Sequence, residues 1–394
     1  MKGEGVMRKI GLLPKLIMAI ILGIIIGSFA PAWIVRVLAT FNGVFGNFLG
    51  FVIPLIIIGF VAPGIGDLGE GAGKLLAITA GIAYGSTIFS GLLAYFTSSI
   101  VLPTFLTPGT LNLDSANPEE ALLAPYFEIE MPPIFGVMTA LLIAFVLGLG
   151  IAVIKGNAIK NFMNEFQSII EKLISNIVIP LLPFHILGIF ANITHAGQVA
   201  TILSVFARVF IMIILLHITV LIIQFVVGGI IAGGNPFRLL KTMIPAYFTA
   251  LGTQSSAATI PVTLEQAKKN GIHDSIADFV IPLCATIHLS GSTITLVSCS
   301  MAIMMLNGMS TSFSIIFPFI LMLGITMVAA PGVPGGAVIA ALGLLEAMLG
   351  FPPALLSLMI ALYVAQDSFG TATNVTGDGA IALIVNKISG YELR

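Results

Sequence analysis

Along the first 232 residues, long apolar runs follow one another with short polar breaks between them. A hydrocarbon core about 30 Å thick is crossed by about 20 residues of helix. Runs of that kind cover Ile10–Phe29, Phe41–Pro63, Leu75–Leu102 and Pro133–Ile154, and two longer ones cover Phe162–Ile193 and Val199–Ala232. Beyond Ala232 the pattern changes. Apolar stretches shorten and are interrupted by clusters of Gly, Pro, Ser and Thr. Between Arg238 and Lys269 an apolar segment carries a polar tip, Gly252-Thr253-Gln254-Ser255-Ser256, and both of its ends are basic. This predicts a re-entrant hairpin that enters and leaves on one side. Non-helical backbone at membrane depth survives only against protein or a water-filled cavity. A second hairpin is predicted over Ser312–Leu349, entering from the opposite side, with its tip at Ala330–Gly336.

Each hairpin is followed by a helix predicted to be interrupted, at His288-Leu289-Ser290-Gly291-Ser292 and at Asn374-Val375-Thr376-Gly377-Asp378. A unit that occurs twice and enters from opposite faces is the mark of an inverted repeat, and paired interrupted segments point to a binding site near the bilayer midplane. The predicted fold class is an all-α membrane protein.

Composition and charge sharpen this picture. Hydrophobic residues make up 58% of the 394 and charged residues 8%, against about a quarter charged in soluble domains. A mean hydropathy of +1.11 excludes an ordinary cytosolic enzyme. A net charge of -1 offers no basic surface, so no nucleic-acid partner is expected. Cys284 and Cys299 lack metal-ligand spacing and read as small buried hydrophobes. The stretch between Leu102 and Pro133 holds Asp114, Glu119, Glu120, Glu128 and Glu130 with no Lys or Arg, and reads as extracytoplasmic. Lys155, Lys160, Arg238, Lys241, Lys268 and Lys269 mark cytoplasmic segments. Lys2, Arg8, Lys9 and Lys15 precede the first run, which reads as a membrane helix rather than a cleaved leader. With Lys387 and Arg394 at the other end, both termini are expected on the cytoplasmic side of the cell membrane.

The chemistry sits in the last third. Asp367 and Asp378 are eleven residues apart, about three helical turns, which puts them on one face. A carboxylate inside the bilayer costs several kcal/mol unless paired or hydrated. One is therefore expected to meet a substrate amine and the other a cation, with Thr371 and Asn374 adding neutral ligands between them. Ser255 and Ser256 lie where two half-helices meet, and the N–H groups there suit a carboxylate. No HExxH motif and no nucleophile–base pairing argues for an enzyme.

On these residues the chain resembles the dicarboxylate/amino acid:cation symporter family, the glutamate transporter homologues. Ser255-Ser256-Ala257-Ala258-Thr259-Ile260-Pro261 resembles the family's serine-rich first tip, and Gly332-Val333-Pro334-Gly335 its second. Ala285-Thr286-Ile287 leads into the unwound stretch of its seventh helix, and Asp367, Thr371, Asn374 and Asp378 fall at its polar positions in the eighth. The resemblance implies eight transmembrane helices, two re-entrant hairpins and an elevator-type secondary transporter that assembles as a homotrimer among membrane lipids. Residues 1–72 would be scaffold helices 1 and 2, and 73–132 helix 3 of the transport domain with an extracytoplasmic loop. Residues 133–198 would be scaffold helices 4 and 5, and 199–237 helix 6 of the transport domain. Residues 238–394 would be the transport core. By position, Asp367 and Thr371 would hold a substrate amino group. Ser255, Ser256, Asn374 and the tip backbone at Val333 and Gly335 would hold its carboxylate. Asp378, Asn374 and carbonyls from Cys284 to His288 would form one sodium site, and Thr286 with the second hairpin another. Tyr84, Thr87 and Ser290 would be weaker cation ligands. No cofactor is implied beyond the coupling ions.

The sequence also departs from the family. Acidic-substrate members carry an arginine where this chain has Gly370, and some carry one where it has Gln254. Burying a second carboxylate without a cation is costly, so a neutral amino acid is expected, and Gly370 is expected to vacate room for its side chain. Serine/threonine members have a stretch similar to Gln366-Asp367-Ser368. The family's Asn-Met-Asp-Gly-Thr is here His288-Leu289-Ser290-Gly291-Ser292, which removes a carboxylate from one sodium site. It also installs an imidazole able to change charge near neutral pH, so His288 is a candidate proton carrier. The other reading of His288 is a neutral hydrogen-bonding replacement for asparagine. His185, His195, His217 and His273 read as packing or interfacial residues without partners. The competing functions are an acidic amino acid or dicarboxylate symporter and an uncoupled or proton-only facilitator.

Overall fold

The computed structural model describes residues 12–69, 73–109, 123–197, 199–328, 330 and 335–393. Lys2, Arg8, Lys9, Asp114, Glu119, Glu120, Val333 and Arg394 lie outside them. Among the described residues the structure is all-α, with no β-sheet. The first half comprises α1 (Leu12–Phe29), α2 (Ala32–Gly69), α3 (Gly73–Val101), α4 (Val137–Val153), α5 (Ala158–Leu173), α6 (Ile179–His195) and α7 (Val199–Ala232). A π-helical turn, Ile174–Val178, joins α5 to α6 in one continuous rod. The second half comprises α8 (Pro236–Thr242), α9 (Ile244–Thr253), α10 (Ser256–Lys269), α11 (Asp274–Ile287), α12 (Ser290–Leu306), α13 (Phe313–Met327), α14 (Gly336–Leu349) and α15 (Pro353–Ile388).

Among the described residues, six spans are long and apolar enough to cross a membrane: Ala32–Pro63, Leu75–Thr104, Ala158–His195, Val205–Ala232, Asp274–Leu306 and Pro353–Ile388. Shorter apolar helices cover Ile17–Phe29, Leu142–Val153, Phe313–Met327 and Gly336–Leu349. This is a multi-pass membrane fold. Its outward faces carry the side chains lipid accepts, among them Leu142, Val146, Ile211 and Leu215, all more than half exposed.

Inside, the apolar side chains form two separate cores. The larger is built from α1 to α6, the Phe206–Val220 stretch of α7, α12 to α14 and the start of α15. The smaller is built from α8 to α11, the end of α7 and the later half of α15. Helix α15 runs through both, with Leu358–Val364 in the first and Ala372–Val385 in the second. Its polar stretch, Gln366, Asp367, Ser368 and Thr371, is buried at the junction. Helix α12 is more enclosed still: all 17 of its residues are buried. Its many Ser, Thr and Gly residues let neighbouring helices approach closely, as small residues do in membranes.

The breaks between short helices fall where the sequence placed two of them. Helix α9 ends at Gln254, whose φ of 54° makes it the only non-glycine among the described residues in the left-handed region. Ser255 then turns extended, and its hydroxyl accepts from the Ala258 N–H at 3.3 Å as the N-cap of α10. Helix α11 ends at Ile287, and His288 and Leu289 are non-helical before α12 starts. Helices α13 and α14 pack on each other, and the tip residues 331–334 between them lie outside the described residues.

The third expected break is absent. Asn374–Asp378 lies inside α15, a continuous helix of 36 residues. Asn, Thr and Gly are weak helix formers, but enclosed backbone groups have no water to turn to, so helix is the state that satisfies them. The glycines here serve close approach instead. A Cβ at Gly377 would stand 2.6 Å from Gln224 Oε1, and one at Gly379 would stand 2.9 Å from Met243 Cε.

The same logic operates between α1 and α6. A Cβ at Gly27 would stand 2.3 Å from the Ala191 carbonyl oxygen and 2.6 Å from Thr194 Cβ. Gly27→Ala is therefore expected to force the helices apart and destabilise the protein by about 1–3 kcal/mol. The check is a lowered melting temperature in detergent, with Gly46→Ala, where a Cβ meets nothing within 4 Å, as the matched control.

Candidate functional site

The site forms where four chain breaks or helix ends converge on α15. Asp367 is 4% exposed. Its Oδ2 accepts from the Gly335 N–H at 2.7 Å. Gly335 can present that N–H because its φ of +76° is one glycine adopts freely, and it is the N-cap of α14. The carboxylate therefore sits at the positive end of a helix dipole. Thr371, one turn along, is 3.5 Å from Oδ1. Gln254, Ser256, Thr286, Ser292 and Tyr363 line the same pocket, and none of its described lining residues is Lys, Arg or His. The space left is about 20 Å³, room for a water molecule and not for an amino acid.

Asn374 ties α15 to the α11–α12 break. Its Oδ1 accepts from the N–H groups of Gly291 at 2.7 Å and Ser292 at 3.3 Å, and its Nδ2 donates to Ser292 Oγ at 2.9 Å. The Tyr363 hydroxyl also donates to Ser292 Oγ, at 2.9 Å. Those N–H groups belong to the first turn of α12 and have no partner within the helix. Asn374 is thus a cap supplied by another helix.

Asp378 faces the other side of the same break. Its Oδ1 lies 2.9 Å from His288 Nδ1, with both side chains fully buried. An ionised carboxylate only accepts, which puts the shared hydrogen on Nδ1. The other ring nitrogen lies 3.0 Å from Ser86 Oγ on α3. Gln224 of α7 extends the network, donating from Nε2 to Ser86 Oγ at 2.9 Å and to Ser290 Oγ at 3.2 Å. Asp378 Oδ2 and Gln224 Oε1 are buried with no hydrogen-bond partner among the described residues. Such an orphaned carboxylate oxygen suits a cation, although Oδ1 is already engaged by the imidazole.

The structure brings together Ser256, Gly335, Asp367, Gly370, Thr371 and Asn374, and separately His288, Ser290 and Asp378. The remaining expected residues are placed differently. Ser255 acts as a helix cap. Thr286 borders the Asp367 pocket but is exposed, with its hydroxyl donating to the Leu283 carbonyl at 2.7 Å, and the Cys284 carbonyl accepts from the His288 N–H at 2.9 Å. The Tyr84 hydroxyl donates to the Leu321 carbonyl at 3.3 Å, and Thr87 bonds back to its own helix at Ala83. Val333 lies outside the described residues. Gly370 does not open space as expected: a Cβ there would touch Ser292 N at 3.5 Å and Gly291 C at 3.6 Å. Its face is filled by the first turn of α12.

Three histidines have partners the sequence did not suggest. His185 bonds Asn42 at 3.1 Å and Ser357 at 2.9 Å. His273 bonds Ser275 at 2.8 Å and stacks on Tyr391. His217 lies 3.0 Å from the Gly291 carbonyl. Ser86, His217, Gln224, Ser292 and Tyr363 are site residues missed in the sequence. The available signal was that His217 and Gln224 are polar interruptions of an apolar run, seven residues and two turns apart.

Comparison with known proteins adds three findings. The profile of the sodium:dicarboxylate symporter family matches residues 12–388. Excitatory amino acid transporter 2 of Mus musculus is 32% identical over 268 residues, covering 64% of this chain and 45% of that protein. The chain thus aligns with less than half of that relative's length. A serine/threonine transporter of Acinetobacter baumannii is 26% identical over 399 residues, covering 94% of this chain and 95% of that one.

Asn374→Ala would leave the Gly291 and Ser292 N–H groups buried without an acceptor. The expected cost is about 1–3 kcal/mol of stability, measured as a fall in melting temperature. Thr373→Ala, one position away, removes a methyl and a bond back to its own helix at Phe369 but strands no buried N–H, and is expected to cost less.

Proposed function

Because the chain belongs to the sodium:dicarboxylate symporter family, we propose that it is a secondary transporter that carries an amino acid or a dicarboxylate across the membrane. Membership of a symporter family sets it among transporters and not enzymes. The observation that carries the finer reading is Asp367: a buried carboxylate held by one helix N-terminus, in a pocket whose described lining has no cationic side chain. Asp367 with Thr371 receives the substrate's amino group. Ser256, Asn374 and the backbone at Val333 receive its carboxylate. Nothing remains to neutralise a second carboxylate, so the substrate is an amino acid with an uncharged side chain.

With a cavity of about 20 Å³, loading requires the surrounding elements to separate. Ala330 and Ala337, on either side of the second tip, border the pocket, and the α13–α14 pair is the gate. The two helix pairs α9–α10 and α13–α14 enter the membrane from opposite sides as re-entrant hairpins. Residues 73–132, 199–237 and 238–394 move together against a scaffold of 1–72 and 133–198, in a homotrimer with both termini cytoplasmic. Sodium is the coupling ion, taken at Asp378 beside Asn374 and the carbonyls near Cys284. Thr286, and more weakly Tyr84, Thr87 and Ser290, contribute to further cation positions. His288 is the group through which protons join or replace sodium.

A second substrate reading has specific support. The family's description names dicarboxylates, and the excitatory amino acid transporter matches at the higher identity. The serine/threonine transporter matches at lower identity over nearly the whole chain. The names therefore favour an acidic substrate, and the pocket's chemistry favours a neutral one.

Competition for uptake into proteoliposomes decides between them. Serine and other neutral amino acids are expected to displace label. Aspartate or a dicarboxylate displacing it better than every neutral amino acid would establish the second reading. Asp367→Asn is expected to abolish concentrative uptake. Collapse of the sodium gradient should do the same to the wild type, while uptake that persists on a proton gradient and fails in His288→Asn would assign coupling to the proton.

A further inference from the structure

Helix α7 is apolar over most of its length, yet two of its side chains reach the α11–α12 break. His217 is 1% exposed, and its Nε2 lies 3.0 Å from the Gly291 carbonyl oxygen and 3.3 Å from Thr295 Oγ1. A carbonyl can only accept, so Nε2 carries the hydrogen, and Nδ1 is left buried without a partner among the described residues. One histidine nitrogen is therefore given up to make this one bond. Gln224, two turns along the same face, donates to Ser290 Oγ at 3.2 Å. Gly291 is thus held at both ends of its backbone: its N–H by Asn374 at 2.7 Å and its carbonyl by His217. It is also held in place sterically. A Cβ at Gly291 would stand 2.5 Å from the Gly370 carbonyl oxygen and 2.7 Å from Thr373 Cβ.

We propose that His217 and Gln224 are positioning residues of the transport site: from α7 they fix Ser290 and Gly291 against α15, and through them set the placing of Ser292 and the imidazole of His288. Neither need touch the substrate. The bond that matters at 217 is a neutral donor to a carbonyl, which a glutamine amide supplies from nearly the same place and an asparagine, one methylene shorter, does not. At 224 it is a donor to two hydroxyls, which methionine matches in length but not in chemistry. This inference rests on the reading above that the break borders the transport site.

The test is amino-acid-dependent thermal shift and uptake kinetics in proteoliposomes, with serine as the first probe and the best substrate of the competition screen thereafter. His217→Leu and Gln224→Met are expected to raise the half-saturating concentration about tenfold, the effect of losing one well-placed hydrogen bond, with a smaller change in maximal rate. His217→Gln is expected to restore the wild-type value and His217→Asn to resemble the leucine variant. If His217→Leu does not fold, the Gln and Asn pair carries the same comparison. Folded variants that all keep wild-type half-saturation, while Asp367→Asn loses binding, would overturn the positioning role. Wild-type binding by Asp367→Asn would instead overturn the site itself.

Discussion

A carboxylate in a hydrocarbon environment must find its donors inside the protein, and α15 carries two of them. Asp367 takes a backbone N–H from Gly335, and Asp378 takes an imidazole hydrogen from His288. Both partners are chain breaks. The donor at Gly335 exists because a helix begins there, and His288 is available because α11 has just ended. The breaks and the charges therefore depend on each other. Without the breaks the carboxylates would have no partners. Without the carboxylates and Asn374, the exposed ends of α12 and α14 would be unsatisfied polar backbone at membrane depth.

This dependence explains why the polar residues collect where two apolar cores meet. Within either core, helices pack mainly through apolar side chains, with few hydrogen bonds between them such as that of His185 to Ser357. At the junction the packing surface is made of small residues, Gly291, Ser292, Gly370 and Thr373, and backbones approach closely. Close backbones are what allow a side chain such as Asn374 to reach N–H groups of another helix.

Much of the architecture was legible because basic residues and apolar lengths are strong signals in a membrane chain. The break at Gln254-Ser255 was readable from its polar tip between basic ends, and the break at His288 from a cluster of residues that disfavour helix. The same kind of cluster misled at Asn374–Asp378. There the local composition argues for interruption, but enclosure on every side makes the helix the state that satisfies the backbone. Gly370 misled in the same way. A missing side chain read as free volume, and the first turn of α12 fills it. The partners His217, Gln224 and Ser86 were hidden for the opposite reason. His217 and Gln224 are scattered polar residues in an apolar helix and Ser86 is one of many hydroxyls on α3, and which neighbour each faces is a matter of how helices from distant parts of the chain are rotated.

Helix α12, with every residue buried and its first turn capped from elsewhere, has a consequence for biogenesis. A segment with no lipid-facing side and six serines and threonines from Ser290 to Ser300 is a poor substrate for independent insertion. Ser86, His217 and Gln224 are synthesised before it and can receive it as it emerges. Asn374 and Tyr363 are synthesised tens of residues later, so the N–H groups of Gly291 and Ser292 must wait for them. During that interval the nascent protein carries an open helix end in the bilayer, held from one side only, and α15 is the element whose arrival closes it.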